Sequence, residues 1–194
     1  MKKLRFAVAM ILAVTLFVSV FAFPIDVSAE GGEPIVRMWL CETGIMPKYY
    51  AGHAFLYFEN LTDHTVTVGK YQLPAGEGVS LSSHAVNAPK GIGVYYNVES
   101  AHHIDADLYA ASADLDAEQL EVVNRKITST NHWDPIFNCV WYAVIVWNAG
   151  PGKRVSFCWL PIFVRLQLTS CGAKLYPFRM FDPGMDRIYI QTEL

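Results

Sequence analysis

Asn138-Cys139-Val140-Trp141-Tyr142-Ala143-Val144-Ile145-Val146-Trp147-Asn148 sets one cysteine directly in front of an almost wholly apolar stretch. Two readings compete for residues 140–147. Val, Ile, Trp and Tyr are strand-formers, so propensity alone reads a strand. A segment apolar on every side is also what a central, fully buried helix looks like. Asn138 is a good helix N-cap, and Asn148-Ala149-Gly150-Pro151-Gly152 is a stop of the kind helices use. Tertiary context often overrides intrinsic preference. Helix is the reading adopted, although composition does not force it. Far upstream, Gly52-His53-Ala54-Phe55-Leu56-Tyr57-Phe58-Glu59 opens a strand-like run on a histidine. A cysteine at a helix mouth and a histidine on a facing strand are the two parts a thiol nucleophile needs.

The first 29 residues read as a signal peptide. Lys2, Lys3 and Arg5 form a charged start, residues 6–23 are an uninterrupted apolar run, and Val27-Ser28-Ala29 supplies the small residues of a cleavage site. The run also reaches the lower limit for spanning a bilayer, so an uncleaved anchor is the alternative. Either way the remainder is expected outside the cytoplasm, and the Lys-rich start suits a bacterium. Residues 30–34, Glu-Gly-Gly-Glu-Pro, form a short linker, and residues 35–194 have the length of one domain with a real core. Removing Lys2, Lys3, Arg5 and Asp26 from the 15 basic and 18 acidic residues leaves 12 and 17, a net of −5. With no basic block and no aromatic-basic alternation, a nucleic-acid partner is not expected. No second long apolar segment exists, so no membrane association is expected for the mature chain.

Along the chain, residues 35–40 read as a first strand, 42–50 as a loop and 53–59 as a second strand. Residues 60–64 have turn composition. The alternating β-branched residues of 65–71 predict the return strand of a hairpin, which sets Tyr71 and Lys70 opposite His53. A turn at 74–78 and a strand at 91–98 continue an antiparallel meander. The period then changes. Residues 116–128 carry Leu120, Val123 and Ile127 at helical spacing behind an acidic start, which predicts an exposed amphipathic helix. Residues 159–168 predict a short helix with Pro161 in its first turn, and 187–191 a closing strand. The fold class is therefore α+β, an antiparallel β-meander packed against a buried helix that carries the cysteine.

Gly-His-Ala-Phe at 52–55, then a hairpin, a helix, and Asn138-Cys139 opening an apolar helix form a layout that resembles the circularly permuted papain-like thiol hydrolases and acyltransferases. These include the lecithin–retinol acyltransferase type, uncharacterised exported bacterial proteins and the fold-related NlpC-type cell-wall peptidases. The resemblance covers residues 37–148. It implies a permuted papain-like architecture with Cys139 as nucleophile, His53 as base and a third polar group on the strand after the histidine. The hairpin predicted here does not fix that third member, but it puts Tyr71 and its neighbour Lys70 nearest to the place. His64 has the spacing of the second histidine of the acyltransferase type but falls in a turn. The small polar residue that often precedes Asn-Cys is here Phe137. The activity implied is hydrolysis of an amide in a peptide or cell-envelope fragment, or acyl transfer by the same pair. It brings no cofactor and no metal.

A free thiol titrates near about 8.5. A helix N-terminus and a neighbouring imidazolium would both lower that value at Cys139, whose backbone N–H would face a developing oxyanion. Asn138 would cap the helix or point its amide at that oxygen, the cap being the ordinary role. The competing readings make Cys139 a small buried thiol or half of a disulfide with Cys41 or Cys158, and the chain a non-catalytic secreted binding or structural domain. Among the other cysteines, Cys158 and Cys171 are nearest in sequence and form the expected bridge, which leaves Cys41 free or buried. His102-His103 with Asp105 and Asp107 lacks the spacing of a metal site and reads as a solvated loop. Trp133, Trp141, Trp147 and Trp159 read as core or cleft wall. Oligomeric state is not legible.

Overall fold

The structure, a computed structural model, describes residues 32–43, 52–84, 92–99, 107–132, 138–158, 160–177, 180–181 and 189–191. The leader at 1–29, His102, His103, Asp105, Trp133, Phe137 and Trp159 lie outside them, as does most of the loop expected at 42–50. Seven strands form one sheet in the order β8-β7-β1-β2-β5-β6-β9, every neighbouring pair antiparallel. In chain order they are β1 (Val36–Glu42), β2 (Ala54–Asn60), β5 (Gly78–His84), β6 (Gly93–Tyr96), β7 (Asp107–Leu115), β8 (Lys174–Pro177) and β9 (Tyr189–Ile190). A separate ribbon pairs β3 (Val66–Val68) with β4 (Tyr71–Leu73). The helices are α1 (Ala117–Thr128), α2 (Cys139–Trp147) and α3 (Pro161–Leu168). The class is α+β with an antiparallel sheet.

The apolar stretch at 140–147 is helical. Asn138 accepts hydrogen bonds from the N–H groups of Val140 and Trp141, at 3.0 and 3.2 Å. Burial on nearly all sides overrides strand propensity here, since Val140, Tyr142, Ala143, Val144, Val146 and Trp147 are all buried. α2 packs on β2, β5 and β1 at the sheet's centre. Along β2, side chains alternate. Ala54, Leu56 and Phe58 join the cluster under the helices, and Phe55 and Tyr57 join a second cluster with Cys41, Leu108, Ala110 and Phe181. Trp39, Tyr57 and Tyr176 meet the Phe181 ring edge-on to close that second face.

α1 begins as expected, with Asp116 and Gln119 forming a reciprocal capping box. Trp147 is core and Trp141 is half-buried against it. Four features differ from the sequence reading. Residues 65–71 are not the partner of β2. Gly69, at φ 62°, closes a two-residue turn that splits the run into β3 and β4. β2 instead pairs with β1 and β5. The strand expected to reach Val98 stops at Tyr96, because Asn97 adopts the left-handed region at φ 61°. β7 is a strand without a counterpart in the sequence reading, which assigns no element to residues 108–113 and places Asp107 in a loop. Finally, all four cysteines are free thiols, so Cys158 and Cys171 are not bridged. Cys158 lies on Gln167 and Cys171 faces the Lys153 and Gln167 carbonyls.

Candidate active site

The site lies at one end of the sheet, where β1 and β5 finish and β2 begins. Gly52, at φ 78°, turns the chain into β2 in a conformation that favours glycine. Thr43 then fixes His53 from both sides. Its N–H donates to the His53 carbonyl at 3.0 Å, and its Oγ1 accepts from the His53 N–H at 3.0 Å. The β2–β5 register, Leu56 opposite Leu81, runs on to set His53 against His84. Their rings lie 4.8 Å apart, with the His53 ring stacked on Phe55 and the His84 ring edge-on to Tyr95.

Glu99 completes this group. The left-handed Asn97 turns the chain back after β6 and is held by Ser80, whose carbonyl accepts from the Asn97 N–H at 2.9 Å. The fully buried carboxylate of Glu99 then meets three donors on one oxygen. His53 Nε2 lies 3.0 Å from Oε1, His84 Nε2 3.2 Å and Ser82 Oγ 2.5 Å. Its Oε2 is buried without a hydrogen-bond partner. Three donors converging on one oxygen hold an ionised carboxylate.

Cys139 reaches the same group from α2. Its sulfur interacts with the His53 side chain and with the Ala54 N–H, and both favour its ionised form. Burial pushes the Cys139 thiol up, but the charge and hydrogen bond of His53, helped by the Ala54 N–H, bring it below its ordinary value. Burial alone would lower His53, yet the Glu99 carboxylate and the Cys139 sulfur hold it well above the usual imidazole value. Glu99, which burial alone would raise, is held well below the usual carboxylate range by His53 and His84. The three groups form a chain in which His53 favours the charged form of both the Cys139 sulfur and the Glu99 carboxylate. Cys139 keeps partial exposure while His53, His84 and Glu99 are buried.

Cys139 and His53, the two principal expectations, are thus brought together. Asn138 caps α2 through its side-chain oxygen. Tyr71 is not the third member. It faces Val68 across the ribbon and stacks on Tyr96 at 5.6 Å, because the Gly69 turn gives it a different partner strand. Lys70 donates instead to the Gln191 carbonyl at 3.4 Å. His64 is exposed and bonds Asp63 at 3.1 Å. Asp107 is exposed at the start of β7. Sequence reasoning missed Glu99, His84 and Ser82. The available signals were an asparagine ending a strand run, which favours a left-handed turn, and the alternation Ser80, Ser82, His84.

His53, His84 and Glu99 also form a candidate metal-binding set, with one ligand atom each, all within 4.8 Å of one another. The three donors already on Oε1 account for the cluster as a hydrogen-bond network. Comparison with family models, with curated proteins and with solved structures found no match to this chain.

Proposed function

We propose that this chain is an exported thiol hydrolase of permuted papain-like architecture, acting on an amide bond of a peptide or cell-envelope fragment. The observation that carries the reading is the sulfur of Cys139, at a helix N-terminus, coupled to a histidine whose Nε2 lies 3.0 Å from a buried carboxylate. The Cys139 thiolate attacks the carbonyl carbon. A C–S bond forms and the C=O π pair moves onto oxygen. The Cys139 backbone N–H is one of the orphan donors of the helix start, and the Asn138 cap serves Val140 and Trp141 rather than Cys139. That N–H therefore faces the oxyanion, where such donors matter by roughly 100-fold or more.

Collapse of the tetrahedral intermediate breaks the C–N bond as the His53 imidazolium gives its proton to the departing amine. The neutral imidazole then takes a proton from water, whose oxygen attacks the thioester. The C–S bond breaks, the acid product leaves, and the thiolate–imidazolium pair is restored. Glu99 fixes the tautomer and ring orientation of His53, the task of the third member in such triads. His84 and Ser82 hold Glu99 in turn. Acyl transfer to an acceptor other than water would use the same residues.

The test is turnover of wild type beside Cys139→Ala and His53→Ala on peptide and peptidoglycan fragments. Loss in both variants, each folded by circular dichroism, is the expected result. Equal turnover by all three removes the reading and leaves a binding or structural domain.

A further inference from the structure

The segment after α2 builds a surface unlike the rest of the molecule. Residues 153–158 run beside α3 and are tied to it by Gln167, whose Oε1 accepts from the Ser156 N–H at 2.6 Å and whose Nε2 donates to the Ser156 carbonyl at 3.1 Å. α3 buries Pro161, Val164 and Leu168 toward the sheet. Its other face carries Leu160, Phe163 and Leu166, spaced by three and exposed at 44%, 49% and 67%, with Phe157 on the tied segment at 48%. Large apolar side chains exposed in a row mark an interaction surface rather than ordinary scatter.

Charge indicates what covers it. The chain carries a net −3, yet residues 135–181 contain no Asp or Glu and five cations, Lys153, Arg154, Arg165, Lys174 and Arg179. Lys153, Arg154 and Lys174 are exposed, so the segment that carries the apolar ridge also carries exposed cations and no acid. A second copy of the same face would bring these cations against one another. An anionic lipid surface matches both properties, since apolar residues enter the headgroup boundary while lysine and arginine meet the lipid charge.

We propose that the α3 face is a docking surface for an anionic lipid bilayer. The domain lies on the membrane and does not span it; no described helix is long and apolar enough to cross one. The helix that carries the face reaches the site's end of the sheet through Arg165, on its inner side. Arg165 stacks over Tyr109 at 4.1 Å and reaches Glu42 at 4.0 Å, and Glu42 pairs with Ala54, the residue after His53. Docking would hold the Cys139 end of the sheet near the lipid surface.

The test is flotation of the exported chain from Glu30, which contains every described residue, with phosphatidylcholine vesicles lacking or containing phosphatidylglycerol. Binding is expected with the anionic vesicles and is expected to fall as salt rises. Lys153→Glu with Arg154→Glu should weaken it by roughly fivefold or more per cation. Phe163→Ser with Leu166→Ser, both exposed, should abolish it without shifting the melting transition. Cys139→Ala should float as wild type does, so failure of the hydrolase reading leaves this outcome intact. Absence of flotation, equal binding to both vesicles by wild type and variants, or a dimer that Phe163→Ser with Leu166→Ser dissolves would overturn the proposal.

Discussion

Cys41 and Cys139 approach adjacent residues of β2 from opposite sides. Cys41 pairs with Phe55 in the β1–β2 register and is sealed in the second cluster. Cys139 receives the Ala54 N–H at the mouth of α2, beside His53. Neighbouring strand residues face opposite sides of a sheet, so a one-residue offset separates two chemistries. Burial drives the Cys41 thiol well above its ordinary value, and the negative charge of Glu99 adds to it. The same Glu99 opposes ionisation of Cys139 as well, but there the imidazole of His53 outweighs it. Burial alone does not decide thiol character. The partner does.

The sharpest way to break this comparison is alkylation mapped by mass spectrometry. Cys139 should react rapidly near neutral pH, while Cys41 reacts only after unfolding. Cys158, which burial pushes up to about 11, should lag behind Cys139 as well. Rapid labelling of Cys41, or none at Cys139, would collapse the distinction. Cys139→Ala should remove all turnover.

His53→Ala comes next in size. With burial opposed only by the Ala54 N–H, the Cys139 labelling midpoint should rise, and the rate at pH 7 should fall by about tenfold or more. Unchanged labelling would mean that the imidazole does not stabilise the thiolate.

Glu99→Gln should narrow the active window on its alkaline side, because a neutral amide no longer holds the imidazolium as pH rises. It should also cost about 3 kcal/mol by chemical denaturation, the scale of breaking a buried pair. Stability should carry a matching pH signature. The contribution of Glu99 is complete above its ordinary value of 4.5 and declines as pH falls toward its depressed folded value. That of His53 is complete below 6.5 and declines as pH rises through its elevated folded value. Wild type should therefore lose more stability below pH 4.5 than Glu99→Gln does. Parallel acid profiles would remove Glu99 from the network.

Asn138→Ala should destabilise by about 1 kcal/mol through loss of the cap, with Cys139 still the first thiol labelled. Tyr71→Phe should change activity least, since Tyr71 lies on the ribbon against Tyr96. A loss comparable to that of Glu99→Gln would restore Tyr71 to the site.

The legible parts of the site were those fixed by local chemistry. Asn138 advertises a cap through its side chain, and an apolar run too hydrophobic for a surface location reads as buried whichever backbone it adopts. His53 was visible because it opens a strand. Tyr71 failed because the sequence shows alternation but not where a run folds on itself. Gly69 sits inside an otherwise continuous strand pattern, and the turn it makes redirects every partner beyond it. β7 goes unassigned because its alternation is diluted by alanine and aspartate, and only pairing between β1 and β8 fixes it as a strand.

By itself the chain determined its class, its capped apolar segment and the positions of Cys139 at a helix start and His53 before a strand, since periodicity and capping act over a few residues. The tertiary structure decided which groups meet them. Glu99 becomes the partner of His53 only because Asn97 reverses the chain and β5 lies beside β2. Such pairings depend on strand order, and strand order is set by the competition among all edges for the same hydrogen bonds.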